Sequence, residues 1–359
     1  MRKRDWKLRN YQEGDEHQVI KLYEKVWKQP MGMSDSLKYW RWMYEKNPFG
    51  DKNIVLGVVD NEIVGQYTVI PVTMTLNDKK LTASLAAHLV VHPDYQGQRM
   101  FPQMVEHLHE NLEKKSIPFT YGFPNENSIE TFKKYLDWKE VLSIPLMARP
   151  INFEKSASMF FGKGIKSKIV GSLGKKYYSL KYTPLNPPPD MEITKIDKFT
   201  KEFDELWNEL KENFNIALTR NSEYLNWRFV KKPGYDYEIF SLRKNSELIG
   251  YAVTYNYNYK DLEIMLIMDL LVTNHSEKYA KYLISHCVKE AKSKNLDSVC
   301  SIACGLKEYY KKTGFREIGF EQLPTKKHFG VKKNTDTVKD HILFEPSNWY
   351  ISWADTPGY

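Results

Sequence analysis

Residues 91 to 105, Val-His-Pro-Asp-Tyr-Gln-Gly-Gln-Arg-Met-Phe-Pro-Gln-Met-Val, carry the chain from a strand-like run through a polar turn into an amphipathic helix. Before them, Leu85-Ala-Ala-His-Leu-Val-Val91 is a mostly apolar run of strand length. After them, Phe101, Met104, Val105, Leu108 and Leu112 keep the helical period. Pro102 suits the first helical turn, where its missing N–H costs nothing. The opening amides of a helix lack partners within it and the helix dipole is positive there, so a strand-turn-helix of this kind can hold a pyrophosphate.

The surrounding chain repeats itself. Tyr39-x-x-Trp42 recurs as Tyr224-x-x-Trp227, Pro48 as Pro233, and Glu62-Ile-Val-Gly65 as Glu247-Leu-Ile-Gly250, each pair 185 positions apart. Leu89-Val-Val91 then matches Leu270-Leu-Val272 at a spacing of 181, and Asp137-Trp138 matches Gly314-Phe315 at 177. The second copy is therefore shorter where the first carries its loop. Only Thr-Asn-His-Ser-Glu separates Val272 from a helix bearing Leu283, Ile284, Cys287, Val288 and Ala291, with no Gly-containing phosphate turn.

On these residues the 91–105 stretch resembles the coenzyme A loop of the GCN5-related N-acetyltransferase (GNAT) superfamily. There a strand ending in Val is followed by His-Pro-x-Tyr and then Gln/Arg-x-x-Gly-x-Gly/Ala. Gln96 and the spacing fit, whereas the two small positions are Arg99 and Phe101. Phe at the last position is common in one branch of the superfamily. Arg99 is the serious departure, because Gly there lets backbone amides approach the phosphates. Either its guanidinium takes over part of the phosphate contact, or the loop has stopped binding the cofactor. Both copies end in an aromatic-Lys-Lys-x-Gly-aromatic-like turn: Tyr309 to Ile318 is close, and Phe132 to Val141 is looser. The likeness covers about 1–150 and 190–330, and tandem proteins of this length include members associated with polysaccharide biosynthesis.

The resemblance implies an α/β fold of two tandem GNAT-like domains, each a mixed, mostly antiparallel central sheet flanked by helices. It divides the chain into 1–150 with the acyl-CoA loop, a basic and Pro-rich linker at 151–190, a degenerate domain at 191–335, and a tail at 336–359 docking at the cleft. It implies acetyl-CoA or another acyl-CoA as co-substrate, held by Leu89, Val90, Val91, Gln96, Gly97, Gln98, Arg99, Met100 and Phe101. Asn125 and Asn127 would touch the pantetheine arm. The superfamily's usual acid, a tyrosine four residues before the turn Gly, falls here on Lys133, which makes Tyr135 the candidate. In the second copy that position is Tyr310.

Direct acyl transfer needs a neutral amine, a donor to the thioester carbonyl, and a proton for the leaving thiolate. His88 could serve as base, since its ordinary pKa lies near operating pH, and it could equally be a core histidine. Asp355 could attract or deprotonate an ammonium acceptor, or the segment Asn348 to Asp355 could simply seal the second sheet. His88-x-x-x-His92 lies on a strand and turn without the third ligand a metal needs, and Cys300-x-x-x-Cys304 also lacks partners. We expect no metal.

A net charge of +8, from 53 basic and 45 acidic residues, suits an anionic cofactor. With no run of 18 apolar residues and no signal-peptide pattern, the reading is a soluble, cytoplasmic protein whose cysteines stay reduced. Six lysines and no acids lie between Phe160 and Tyr182, interleaved with Phe161, Ile165, Ile169, Val170 and Leu173. They could form a basic amphipathic helix making weak contact with a membrane surface, or a solvated helix over the domain junction. Glycines 162, 164, 171 and 174 weaken an autonomous helix. The expected acceptor is a small amine, with an amino sugar the leading guess, and no nucleic acid. Two rivals stand beside this reading: a Fem-like aminoacyltransferase using charged tRNA, and a non-catalytic ligand-binding protein of the same fold.

Overall fold

Period-two alternation of apolar residues organises the first half in a computed structural model that describes residues 5–27, 36–126, 128–302 and 315–358. Strands β1 (Lys7–Asn10), β2 (Asn53–Val59), β3 (Glu62–Leu76) and β4 (Lys79–Val91) form an antiparallel ladder. On β2, Ile54 and Leu56 join one core cluster while Val55 joins another on the opposite face. Helices α1 (Glu16–Trp27) and α2 (Ser36–Trp40) cover the first face. Helices α3 (Met100–Lys114) and α4 (Ile129–Leu136) cover the second.

Two irregularities in β4 open the sheet at its tip. Tyr67 pairs with Leu89 but Val69 pairs with Ala86, so Ala87 and His88 together oppose Thr68 in a β-bulge. On its other edge β4 runs parallel to β5 (Phe119–Gly122) only at Ser84↔Thr120 and Leu85↔Tyr121, yet continues to Val91. The two strands then part.

The second half repeats the succession with β7 (Met191–Ile196), α7 (Glu202–Leu210), β8 (Ile216–Leu218), α8 (Ser222–Leu225), β9 (Tyr237–Lys244), β10 (Glu247–Tyr259), β11 (Leu262–Val272), α9 (Glu277–Ser293) and β12 (Ser298–Ile302). All the strands belong to one sheet among the described residues, and its middle is an exchange. β6 (Lys139–Pro150) leaves the first half to pair with β12, while β13 (Glu321–Lys333) comes from the second half to pair with β5. β6 and β13 also pair with each other, giving the order β1-β2-β3-β4-β5-β13-β6-β12-β11-β10-β9-β7. Neither half completes its own sheet.

The halves also meet at two matching π-helical turns, where Lys46 N–H reaches back to Arg41 O and Lys231 N–H to Asn226 O. From these turns Trp42 and Trp227 stack at 4.7 Å with 15° between their planes. Each indole N–H donates to the other's carbonyl, Trp42 Nε1 to Trp227 O at 2.7 Å and Trp227 Nε1 to Trp42 O at 3.1 Å. A reciprocal contact between positions 185 apart is what an internal two-fold axis produces.

Between the halves, α5 (Phe153–Phe161) and α6 (Ile165–Lys181) pack as a hairpin. The carboxy-terminal segment is an inner part of the protein: β14 (Trp349–Tyr350) pairs with β8, and Trp349, Tyr350 and Ile351 are buried. No helix among the described residues is long and apolar enough to cross a membrane.

Candidate functional site

The position of α3 follows from two glycines. Gly57 and Gly65 face each other across β2 and β3, and a Cβ on either would lie 2.7 or 2.5 Å from the Met100 sulfur. With no side chain there, the first turn of α3 sinks onto the sheet, and Met100 and Met104 are buried beneath it. This anchors the amino end of α3 beside the tip of β4.

The loop between them is held from within. His92 N–H donates to Val64 O at 2.8 Å, and its Nδ1 accepts from Asp94 N–H at 3.2 Å. Gln96 donates to Val91 O at 3.0 Å, and Gln98 to Asp94 O at 3.0 Å. Gly97 (φ +75) and Arg99 (φ +63) both adopt left-handed backbone. Arg99 stands at the cap of α3 without bonding the helix amides, no acid occupies the first turn, and its exposed guanidinium has no partner among the described residues. Phe101 packs on Phe132 with centroids 5.8 Å apart. The outcome is a positive helix end with open amides and a free cation beside it.

Backbone direction at the end of β4 follows from pairing. Because His92 N–H points to β3 and amides alternate along a strand, the amides of Leu89 and Val91 point the other way, into the gap that β5 has left. Val90 faces the α1 side and is buried.

His88, on the bulge, enters a cluster of aromatic rings. Its ring lies 5.3 Å from Tyr23 and 5.9 Å from Trp27, and the Tyr44 hydroxyl contacts its Nδ1. Burial, with Lys232 nearby, pulls its pKa down to about 4, and burial keeps Tyr44 protonated well past neutrality. Near neutral pH the contact therefore joins a protonated phenol and an uncharged imidazole. Sequence reasoning overlooked Tyr44. The Tyr39-x-x-Trp42 repeat ends two residues short of it.

The other sequence candidates scatter. Tyr135 is 55% exposed on α4, beside the Lys134 ammonium, while Lys133 pairs with Glu140 at 2.6 Å and Glu130 at 3.1 Å. Asn125 Oδ1 accepts from Ser128 N–H at 3.0 Å, tying the turn before α4. Asn127, Tyr310 and Cys304 lie outside the described residues, as does the 28–35 connection between α1 and α2. Cys287 and Cys300 are buried thiols, and burial pushes them up to about 12 and about 11. Among the described residues no three His, Cys, Asp or Glu side chains gather as a metal group.

Asp355 is 3% exposed and belongs to a closed ionic network. Arg220 reaches it at 2.7 Å and Asp269 at 3.0 Å, while Ser352 and Tyr251 complete the carboxylate contacts. By the spacing of 181, Asp269 is the counterpart of His88 (269 − 88). The tail thus fills, in the second half, the place that lies beside His88 in the first. α9 differs from α3 in the same sense: Ser276 Oγ caps it, accepting from Tyr279 N–H, and Glu277 stands in its first turn.

Residues 7–138 match the family described as Acetyltransferase (GNAT) domain. That match identifies residues 7–138, a little over a third of the chain, as GNAT-like. Known structures extend the likeness in fold to nearly the whole chain. A GCN5-related N-acetyltransferase from Anabaena variabilis superposes with a TM-score of 0.65 at 11% identity, covering 92% of this chain and 73% of that one. A GCN5-related N-acetyltransferase from Kribbella flavida gives 0.60 at 12%, covering 92% and 71%. Saccharomyces cerevisiae N-myristoyltransferase with bound myristoyl-CoA and inhibitors gives 0.59 at 12%, covering 91% and 80%. No curated protein matches the chain. The splayed β4–β5 pair and the 92–99 loop both lie within the matched residues.

Proposed function

We propose that the chain transfers an acyl group from an acyl-CoA, acetyl-CoA in the first instance, to a small amine. The site is the opening between β4 and β5. The supporting observation is the contrast between helix starts that follow equivalent strands: α3 is uncapped, free of acid and flanked by Arg99, whereas α9 is capped by Ser276 and carries Glu277. An anion is drawn to the first and repelled from the second. One acyl-CoA per chain follows, with 1–150 as the donor domain, 191–335 as a supporting domain and 151–190 between them.

The residues present fit the donor. The loop amides and Arg99 would hold the pyrophosphate, and the outward amides of Leu89 and Val91 would meet the pantetheine arm and the thioester carbonyl. A backbone donor aimed where negative charge develops lowers the barrier without reorganising. His88 would meet the acceptor from the α1 side. With its pKa near 4 it is a weak base at neutral pH, so we assign it the placing of the acceptor against the thioester, leaving the amine's lone pair free to attack and water to carry the amine's proton. An amino sugar remains the leading acceptor.

Calorimetric titration of the full chain with acetyl-CoA and with a long-chain acyl-CoA tests the proposal. One site per chain supports it, and thiol release in the presence of an amine panel identifies the acceptor. Absence of binding by either donor refutes it.

A further inference from the structure

Helix α6 turns its apolar side outward. At about 100° per residue, Ile165, Ile169, Leu173, Tyr177 and Leu180 fall within an arc of about 120°. Ile165, Leu173 and Leu180 are 77%, 65% and 78% exposed. The opposite side, through the buried Ser167 and Gly171, is the one that packs on α5. An amphipathic helix covering a soluble domain does the reverse.

This orientation is locked. A Cβ on Gly171 would lie 2.6 Å from the Glu154 Cα, so backbone touches backbone and only glycine fits. Farther along, Tyr178 and Tyr182 lean on Gly319, and Arg149 donates to Tyr182 O at 3.1 Å. Rolling α6 to bury its leucines would break all of these contacts.

Charge selects the occupant of the outward face. Six lysines and no acid lie in 160–182, and Lys166 and Lys176 sit within the apolar arc itself. A second copy would set lysines against lysines. A bilayer with anionic headgroups offers apolar depth for the leucines and negative charge for ammonium groups extended from the same face. We propose that the outward face of α6 docks the protein on anionic membrane surfaces. The docking is separate from acyl transfer and needs no activity to be seen.

Flotation of the full-length protein with vesicles of phosphatidylcholine, alone or with a third of phosphatidylglycerol, provides the test. Binding is expected on the anionic vesicles, weakening as salt rises, and not on the neutral ones. Leu173→Glu and Leu180→Glu should each lower partitioning by roughly ten- to a hundredfold. Their melting temperatures should stay unchanged, since both side chains are exposed. Lys166→Glu with Lys176→Glu should remove the preference for anionic lipid. Equal binding to both vesicle types, or none, overturns the proposal. So does a concentration-dependent dimer that Leu180→Glu dissolves, or capture of an acidic protein in place of lipid.

Discussion

Arg99 places two opposing effects on one side chain, and paired substitutions separate them. Its backbone is left-handed, with φ 63° and ψ 13°, where Cβ crowds the following carbonyl at about 1–2 kcal/mol for an L-residue. Glycine removes that strain but costs roughly 0.5–1 kcal/mol in unfolded-chain entropy. Arg99→Gly should therefore stabilise the protein by about 0.5–1 kcal/mol, while Arg99→Ala, which keeps the Cβ, should leave stability nearly unchanged. Binding should move the other way. A charge-assisted contact to phosphate contributes ~1.5–3 kcal/mol, so both variants should weaken acetyl-CoA by roughly ten- to a hundredfold. Urea unfolding gives the first quantity and calorimetry the second, and the loss should shrink as salt rises. If Arg99→Gly tightens binding while Arg99→Ala leaves it unchanged, the side chain adds nothing and its backbone strain obstructs the loop. If both tighten it, Arg99 is a plug.

Three further outcomes are expected. His88 is depressed from 6.5 to about 4, so its contribution is complete above pH 6.5 and is lost as pH falls toward 4, amounting to up to about 3 kcal/mol. His88→Gln should flatten the acid limb of stability measured by urea unfolding between those values; an unchanged limb would mean the ring is not held neutral. Trp42→Phe and Trp227→Phe should each cost about 1–3 kcal/mol, because each strands one buried carbonyl, and the two losses should be similar. A silent substitution at either position would remove the reciprocal contact as a joint between the halves. Arg220→Met should destabilise by roughly 3–5 kcal/mol by leaving Asp269 and Asp355 uncompensated, and less at pH 5 than at pH 7, since burial already raises the Asp355 carboxyl and protonating it relieves its uncompensated charge. Denaturation at the two pH values reads that difference.

Much of the β4–α3 connection was legible in local sequence, because its structure is local. A strand, a Gly-containing turn and a helix start are adjacent in the chain, and the 185-residue repeat exposed the second half as a variant lacking the turn. Apolar period distinguished strand from helix there, since each face of the β2–β3–β4 ladder must bury every second residue. Tertiary structure alone decided the rest. Which strand neighbours β5 is set by pairing across just over two hundred residues, and no local pattern in β6 or β13 announces the exchange. The direction of α6 was beyond periodicity too: its spacing defines an apolar side, but the Gly171 contact with Glu154 turns that side to solvent. Asp355 reads in sequence as one acid among apolar aromatics. Only the fold brings Arg220 and Asp269 to it from 135 and 86 residues away (355 − 220, 355 − 269), because a carboxylate taken out of water must find its charge partner wherever the chain can deliver one.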